Sequence, residues 1–392
     1  MKLTKCKLGE LITQRREKND GSNLPICGVS KDGLIPPKQI DADTSIYNVF
    51  YRDDFIFNPA RMELNSIAIN DKYDRAICSS LYEVFYVHRT DLLLPHYLKL
   101  IVKQKWFTRY CEFLGQGSAR EYCRFNNISE IEVEFPPIEE QQKIVDYHAT
   151  IQQRIALKKQ INDNLSETIK TVFKSWFLDF DVFDNKDLVQ SQYGLIPNGW
   201  HYELLGDLCE CVTKGTTPTT LGKDFTETGI NFIKGESIND DHSFNKSMFA
   251  HIDDETDELL KRSRICENDI VFTIAGTLGK FALVDSSVIP ANTNQAVAII
   301  RTNKITPEML YSYFIGEWQV EFYKRNTQQA VQANLSLGTI KDLPILLPDA
   351  EGETRYMRLV NPLIAGIKTN FAEIERLFDL QNQLLTRLSS RR

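Results

Sequence analysis

The sequence predicts an α+β protein of two similar globular, α/β-mixed units separated by two long antiparallel coiled-coil helices, the halves related by a pseudo-two-fold axis. Three observations carry this reading: the chain repeats itself, each copy mixes short strand-like runs with proline-started helices, and each copy ends in a tail with coiled-coil spacing. The expected parts are residues 1–137 and 185–348 for the globular units, and 138–184 and 349–392 for the helices.

The repeat shows as self-similarity at one fixed shift. Moving the sequence by 212 residues places Arg89-Thr90 on Arg301-Thr302, Pro95 on Pro307, Leu98 on Leu310 and Trp106 on Trp318, and Gln116, Ile128 and Pro136 on Gln328, Ile340 and Pro348, without a gap. Beyond the prolines the apolar positions still coincide, as in Ile151/Leu363, Ile155/Ile367 and Leu165/Leu377. Nearer the start of each copy the shift differs, and Asp54-Phe55-Ile56-Phe57 matches Asp269-Ile270-Val271-Phe272 at 215. Leu8-Gly9-Glu10-Leu11 matches Leu205-Gly206-Asp207-Leu208 at 197, so the second copy carries extra residues.

Within the globular parts, Asp54–Phe57, Tyr82–Val87 and Gln295–Ile300 read as strands, being β-branched or aromatic runs between turn signals. His96–Phe107 and Glu308–Tyr323 read as amphipathic helices, each following a proline that suits a first helical position. From Glu139 to about Leu178 there is neither Pro nor Gly. Apolar side chains recur there at Ile144, Ile151, Ile155, Leu165, Ile169, Val172 and Trp176, and in the second tail at Val360, Leu363, Ile367, Ile374, Leu377, Leu384 and Leu388. Spacings of three, four and seven form a coiled-coil stripe. Forty helical residues would span roughly 60 Å, more than a small globular core needs. Polar residues interrupt the stripe at Lys158, Asn162, Asn370 and Gln381, either as a wetter stretch of interface or as a device that selects register. His148 also falls on the seam. Pro362, without a counterpart in the first tail, is expected to kink the second helix or to begin a new one capped by Asn361.

Composition narrows the functional class. The chain has 392 residues with 46 Lys+Arg against 53 Asp+Glu, a net charge of -7, 42% hydrophobic and 25% charged residues. These values suit a folded protein and exclude collagen-like or disordered chains. The start of the chain has no apolar signal region, and the longest apolar run, Ala296–Ile300, is far shorter than the roughly 20 residues of a membrane span. A cytoplasmic protein without a membrane partner is expected. Chemistry-bearing motifs are missing. No Cys-x-x-Cys pair or zinc-spaced His pair appears. Gly276–Phe281 lacks the first glycine and the closing hydroxyl of a phosphate loop. Neither Asn58-Pro59-Ala60 nor Asn361-Pro362-Leu363 completes the Asn-Pro-Pro-aromatic tetrapeptide of amino-methyltransferases. No catalytic residue, metal site or resident cofactor is therefore expected.

Polar loops offer the remaining chemistry. Arg suits guanine edges and Asn or Gln adenine edges, while Lys, Ser, Thr and backbone amides suit phosphates. On this ground the candidate DNA-binding residues are Arg15, Arg16, Lys18, Lys31, Arg61, Gln116, Ser118 and Arg120 in the first unit. In the second they are Lys214, Thr216, Thr217, Lys234, Lys280, Asn294, Gln328 and Gln329. The charge opposes a chain that binds DNA alone, because phosphate contacts dominate affinity. Residues 1–138 carry +1 and residues 191–348 carry -7.

Phe135-Pro136-Pro137-Ile138-Glu139-Glu140-Gln141-Gln142, followed by a long helix closing in Lys174-Ser175-Trp176-Phe177-Leu178-Asp179-Phe180, resembles the first half of a type I restriction-modification specificity subunit. Gly199-Trp200, Leu205–Leu208, Gly215-Thr216-Thr217-Pro218 and Ile230–Glu236 are similar to the opening of that family's second target-recognition domain. Asp349–Glu353 departs from the Pro-x-Glu-Glu-Gln entry in the second copy. The resemblance implies two target-recognition domains, each reading one half of a bipartite double-stranded DNA site, with helices that set the gap and dock two methyltransferase (M) subunits. Restriction (R) subunits complete such complexes. S-adenosylmethionine, ATP and Mg would belong to these partners. The alternative from a different class is a coiled-coil scaffold joining two protein-binding domains.

Overall fold

The computed structural model describes residues 3–37, 39–40, 43–115, 122–183, 188–320, 322 and 334–389. Packing separates the chain into two compact units, Met1–Ala156 with Ile374–Arg392, and Leu157–Glu373.

The first unit contains β1 (Thr4–Lys7), β2 (Ile12–Arg15), β3 (Gly28–Ser30), β4 (Gly33–Ile35), β5 (Asn48–Tyr51), β6 (Phe55–Phe57), β7 (Ile67–Ile69), β8 (Arg75–Cys78), β9 (Glu83–Val87) and β10 (Glu132–Phe135), with helices α1 (Pro95–Val102), α2 (Lys105–Gly115) and α3 (Phe125–Ser129). Its main sheet is antiparallel in the order β2-β9-β6-β7. Alternate residues of these strands are buried with α1 and α2 in one core that includes Phe55, Phe57, Phe85, Leu98 and Phe107. Phe55 stacks on Phe85 at 5.0 Å. β1 pairs with β10, so the segment opens and closes on one two-stranded ladder.

α4 (Ile138–Phe173) begins in the first unit and ends in the second. Its first turn is tied to the first unit by Gln141, which is fully buried. Gln141 accepts from the Leu94 amide at 2.9 Å and donates to the carbonyls of Leu92 and Pro136, both at 2.8 Å.

The second unit contains β11 (Leu188–Ser191), β12 (Gly194–Pro197), β13 (His201–Leu204), β14 (Cys209–Lys214), β15 (Ile230–Ile233), β16 (Ala250–Ile252), β17 (Ile270–Thr273), β18 (Phe281–Leu283), β19 (Ala291–Thr293), β20 (Val297–Thr302) and β21 (Pro344–Leu347). Its helices are α5 (Asp254–Leu259), α6 (Pro307–Ile315), α7 (Leu337–Lys341) and the start of α8 (Ala350–Ser389). The main sheet runs β14-β20-β17-β18, again antiparallel and in the order of the first unit. β13 closes on β21 as β1 does on β10. The elements α1/α6, α3/α7, β10/β21 and α4/α8 follow one another at the 212-residue shift. A further sheet, β16-β15-β19, sits in the part of the second copy where the sequence lengthens. Aromatic packing of Phe173, Phe177, Tyr313, Trp200 and Tyr356 fills the core.

Within each unit α4 and α8 pack antiparallel. In the first, the side chain of Gln381 meets His148 at 2.8 Å. In the second, Lys158 meets Glu373 at 2.8 Å, Asn162 meets Asn370 at 2.7 Å, and Leu165 lies beside Gly366. The seam buries Ile151, Ile155 and Ile169 of α4 and Val360, Ile364, Ile367 and Ile374 of α8. The polar interruptions read from the sequence therefore face one another.

Three sequence expectations need correction. Pro362 does not begin a new helix, because α8 is continuous from Ala350 to Ser389. Asn361 and Pro362 lie on the exposed face, so the ring costs one backbone bond on the solvent side while Val360 and Ile364 anchor the buried side. The helix expected over His96–Phe107 is two, α1 and α2, interrupted at Lys103 and Gln104. That over Glu308–Tyr323 is interrupted at Gly316 and Glu317, where Gly316 packs directly on the Phe173 ring and Glu317 is left-handed at φ 59°, and helical backbone resumes at residues 318–320.

Candidate nucleic-acid interface

The strand registers gather most candidate residues at one end of each main sheet. In the second unit Lys214, Ala298, Phe272 and Phe281 form one row across the four strands. The next positions outward are Gly215, Val297, Thr273 and Lys280; Thr273 and Val297 form the last pair of the ladder, and beyond them the chain leaves the sheet as loops. β15 and β19 run parallel, with Ile233 opposite Thr293, so Lys234 and Asn294 emerge at that same end. The Thr293 hydroxyl donates to the Ile233 carbonyl at 2.7 Å, and the Gly215 amide donates to the Asn294 carbonyl at 3.1 Å. Gln295 fastens the neighbouring loop by accepting from the Thr217 amide at 3.2 Å and its hydroxyl at 2.5 Å. A glycine is required at 215, since any Cβ would overlap the Thr293 carbonyl.

Lys214, Thr216, Thr217, Lys234, Lys280 and Asn294 are thus brought together. The Lys234 ammonium lies 4.6 Å from the Phe225 ring centroid and 4.0 Å from Glu236. Lys280 reaches Asp240 at 2.8 Å, while its amide donates to the Thr273 hydroxyl at 2.9 Å. Asn294 accepts from the Ala296 amide at 3.0 Å, an Asx turn that shapes its own loop.

In the first unit Arg15, Val84, Ile56 and Ala68 form the corresponding row. Arg16 is one step outward, and Arg61 lies in the helical turn Pro59–Leu64 that follows β6. The turn carrying Lys31 is tied to this end by Lys103, whose ammonium donates to the Lys31 and Ile67 carbonyls, both at 2.7 Å. Burial pushes the Lys103 ammonium down to about 8. Lys18 donates to the Ile46 carbonyl at 2.9 Å and to Asn48 at 2.7 Å.

Arg15 is engaged inside the fold. Its guanidinium makes two bonds, 2.6 and 3.2 Å, to Asp54, whose side chain is 2% exposed, and lies 4.7 and 4.6 Å from the rings of Tyr51 and Tyr86. The second unit answers with Asp269, 1% exposed, gripping Arg301 at 2.8 and 2.7 Å, but from a different strand. Gln116, Ser118, Arg120, Gln328 and Gln329 lie outside the described residues. Sequence reasoning missed Lys103 and Gln295, which shape the loops from neighbouring elements. A lysine closing an apolar helix was the available signal for the first, and the polar run Asn292–Gln295 for the second.

A repeated sheet whose strand ends collect amide and basic side chains defines a two-copy recognition protein. The family model described as type I restriction modification DNA specificity domain matches twice, over residues 9–167 and 197–377. The chain belongs to that family and carries two such domains. It is 24% identical over 304 residues to the type I restriction enzyme MjaIX specificity subunit of Methanocaldococcus jannaschii, covering 76% of this chain and 69% of that protein. It is 23% identical to the HindI specificity subunit of Haemophilus influenzae, covering 82% of each. A crystal structure of the type I restriction-modification system S subunit from M. genitalium shares the fold, with a TM-score of 0.56 at 14% identity over 99% of this chain and 96% of that one.

Proposed function

We propose that this chain is the non-catalytic DNA-specificity subunit of a type I restriction-modification complex. Each unit reads one half of a bipartite site in double-stranded DNA through the loops at its strand ends. The observation that carries this is the recurrence of one sheet order in both units, with polar and basic side chains gathered at the same end each time. The loops themselves differ, as two unlike half-sites require. Paired α4 and α8 set the distance between half-sites and dock two methyltransferase subunits; restriction subunits join the same assembly. Adenosyl cofactor, ATP and Mg act in those partners. The acidic balance of the chain fits a reader that relies on partners to hold the phosphate backbone. No helix among the described residues is long and apolar enough to cross a membrane.

The test is to express the chain with its methyltransferase partners, map methylated adenines in the host DNA, and footprint the purified complex. Two protected blocks separated by an unprotected gap, with methylation in both, are expected. Failure to co-purify with a methyltransferase, or the absence of any protected block, would favour the scaffold reading.

A further inference from the structure

Apart from Arg15, which the buried Asp54 holds inside the fold, the nominated cations of the two units face different partners. In the first, Arg16 bonds the Gln14 side-chain oxygen at 2.8 Å, and Lys18 bonds a carbonyl and an amide, all neutral acceptors. In the second, the two lysines with a partnered ammonium both face carboxylates, Lys280 with Asp240 and Lys234 with Glu236. The carboxylates are the exposed members, at 90% for Asp240 and 53% for Glu236, against 22% and 28% for the lysines.

Stability does not account for these pairs. Exposed ion pairs contribute little to stability, and each lysine is positioned by other means. Lys234 rests over Phe225, and the backbone at Lys280 is fixed by Thr273. Asp241, next along the chain, is turned into its own loop by accepting from the Ser243 amide at 3.1 Å, which leaves Asp240 as the carboxylate on Lys280. A phosphate approaching either lysine meets a negative charge within a few ångströms, well inside the roughly 8–10 Å over which salt leaves charges unscreened.

We propose that Glu236 and Asp240 are specificity-determining residues. Asp240 pairs with the Lys280 ammonium at 2.8 Å and Glu236 stands 4.0 Å from that of Lys234; both suppress sequence-independent phosphate binding by the second unit, and so make its affinity depend on base contacts. The first unit has no such restraint on Arg16 and Lys18, and the net charges of the two segments, +1 and -7, differ in the same sense. The inference rests on the reading that this surface meets DNA.

The experiment uses the full chain assembled with its methyltransferase subunits and two duplexes, one carrying the site found by methylation mapping and one lacking it. Binding is measured by fluorescence anisotropy between 50 and 200 mM salt. The E236Q/D240N pair should bind the site-lacking duplex about five- to tenfold more tightly at low salt, with a salt slope steeper by about 0.9 for each lysine released to a phosphate. The ratio between the duplexes should fall. If that affinity and slope stay unchanged in E236Q/D240N while K234Q and K280Q weaken binding, the surface meets DNA but the carboxylates do not restrain it, and the proposal is overturned. If K234Q and K280Q bind both duplexes as the native chain does, the DNA-facing reading falls and the proposal with it.

Discussion

The side-chain amide of Asn370 donates to Oδ1 of Asn162 across 2.7 Å in the seam between α8 and α4, and both side chains are more than nine-tenths buried. Lys158 closes the group, donating to Asn370 Oδ1 at 2.9 Å and pairing with Glu373 at 2.8 Å. Buried polar groups in a coiled-coil seam favour one alignment over its neighbours, because any shift leaves them unpaired in an apolar setting.

This predicts an asymmetry between single and double variants. Asn370→Leu strands Asn162 and one bond of Lys158, and should destabilise the second unit by about 1–3 kcal/mol. Asn162→Leu/Asn370→Leu removes both amides and should recover most of the loss. Urea denaturation of the four proteins in a double-mutant cycle reads the coupling. Purely additive losses would show that the amides act independently.

His148 carries a pH dependence. Burial, with Lys99 as a smaller influence, lowers its pKa below the usual histidine value, and its ring accepts from Gln381 in the neutral form. The unfolded chain therefore takes up this proton at higher pH than the folded one does. The stabilising contribution is complete above about 6.5, the unfolded value. It is lost as pH falls through the folded pKa. The denaturation midpoint should drop between pH 7.5 and 5.5, and His148→Gln should shrink that drop. An equal drop in both proteins would assign it to other groups.

Gly215 should be intolerant of any side chain. A Cβ there collides with the Thr293 carbonyl, so Gly215→Ala must lift the 214–217 loop from Asn294 and Gln295. Recognition of one half-site should be lost and the other preserved, as scored by methylation mapping on a library of site variants. Gly222→Asn is the control, because that left-handed position has open space and Asn tolerates the conformation. Loss at both half-sites in Gly215→Ala would point to global unfolding.

Adding four residues to α4 and four to the facing stretch of α8 lengthens the pair by about 6 Å. The preferred gap between half-sites should grow by about two base pairs at roughly 3.4 Å each. Methylation mapping gives the gap directly, and an unaltered gap would mean that something other than the helices sets it.

Much of the architecture was legible because the repeat kept a single 212-residue register from Arg89 onward. The seam was legible because a helix repeats its buried face every three or four residues, and even the polar interruptions proved to be partners. Helix ends were not. The breaks at Lys103 and Gly316 come from long-range contacts, with the Lys31 and Ile67 carbonyls and with the Phe173 ring, which no local pattern announces. Pro362 misled for a related reason: propensity counts the lost bond, but not the buried isoleucines and valine that hold both flanks. At the strand ends, loop chemistry picked out residues that do converge. It could not tell that Arg15 is held by a buried aspartate 39 positions away, or that Lys280 has an acidic neighbour from another loop.

Each reader enters and leaves the scaffold through a single doorway, whose jambs are paired from Thr4 to Phe135 in one case and from His201 to Leu347 in the other. The second room holds 147 residues against 132 in the first, yet what stands beyond the threshold is the same. Closing a longer excursion costs little, about 0.6 kcal/mol for each doubling of a flexible loop. Such a chain can refurnish what it recognises, residue by residue, without moving the walls.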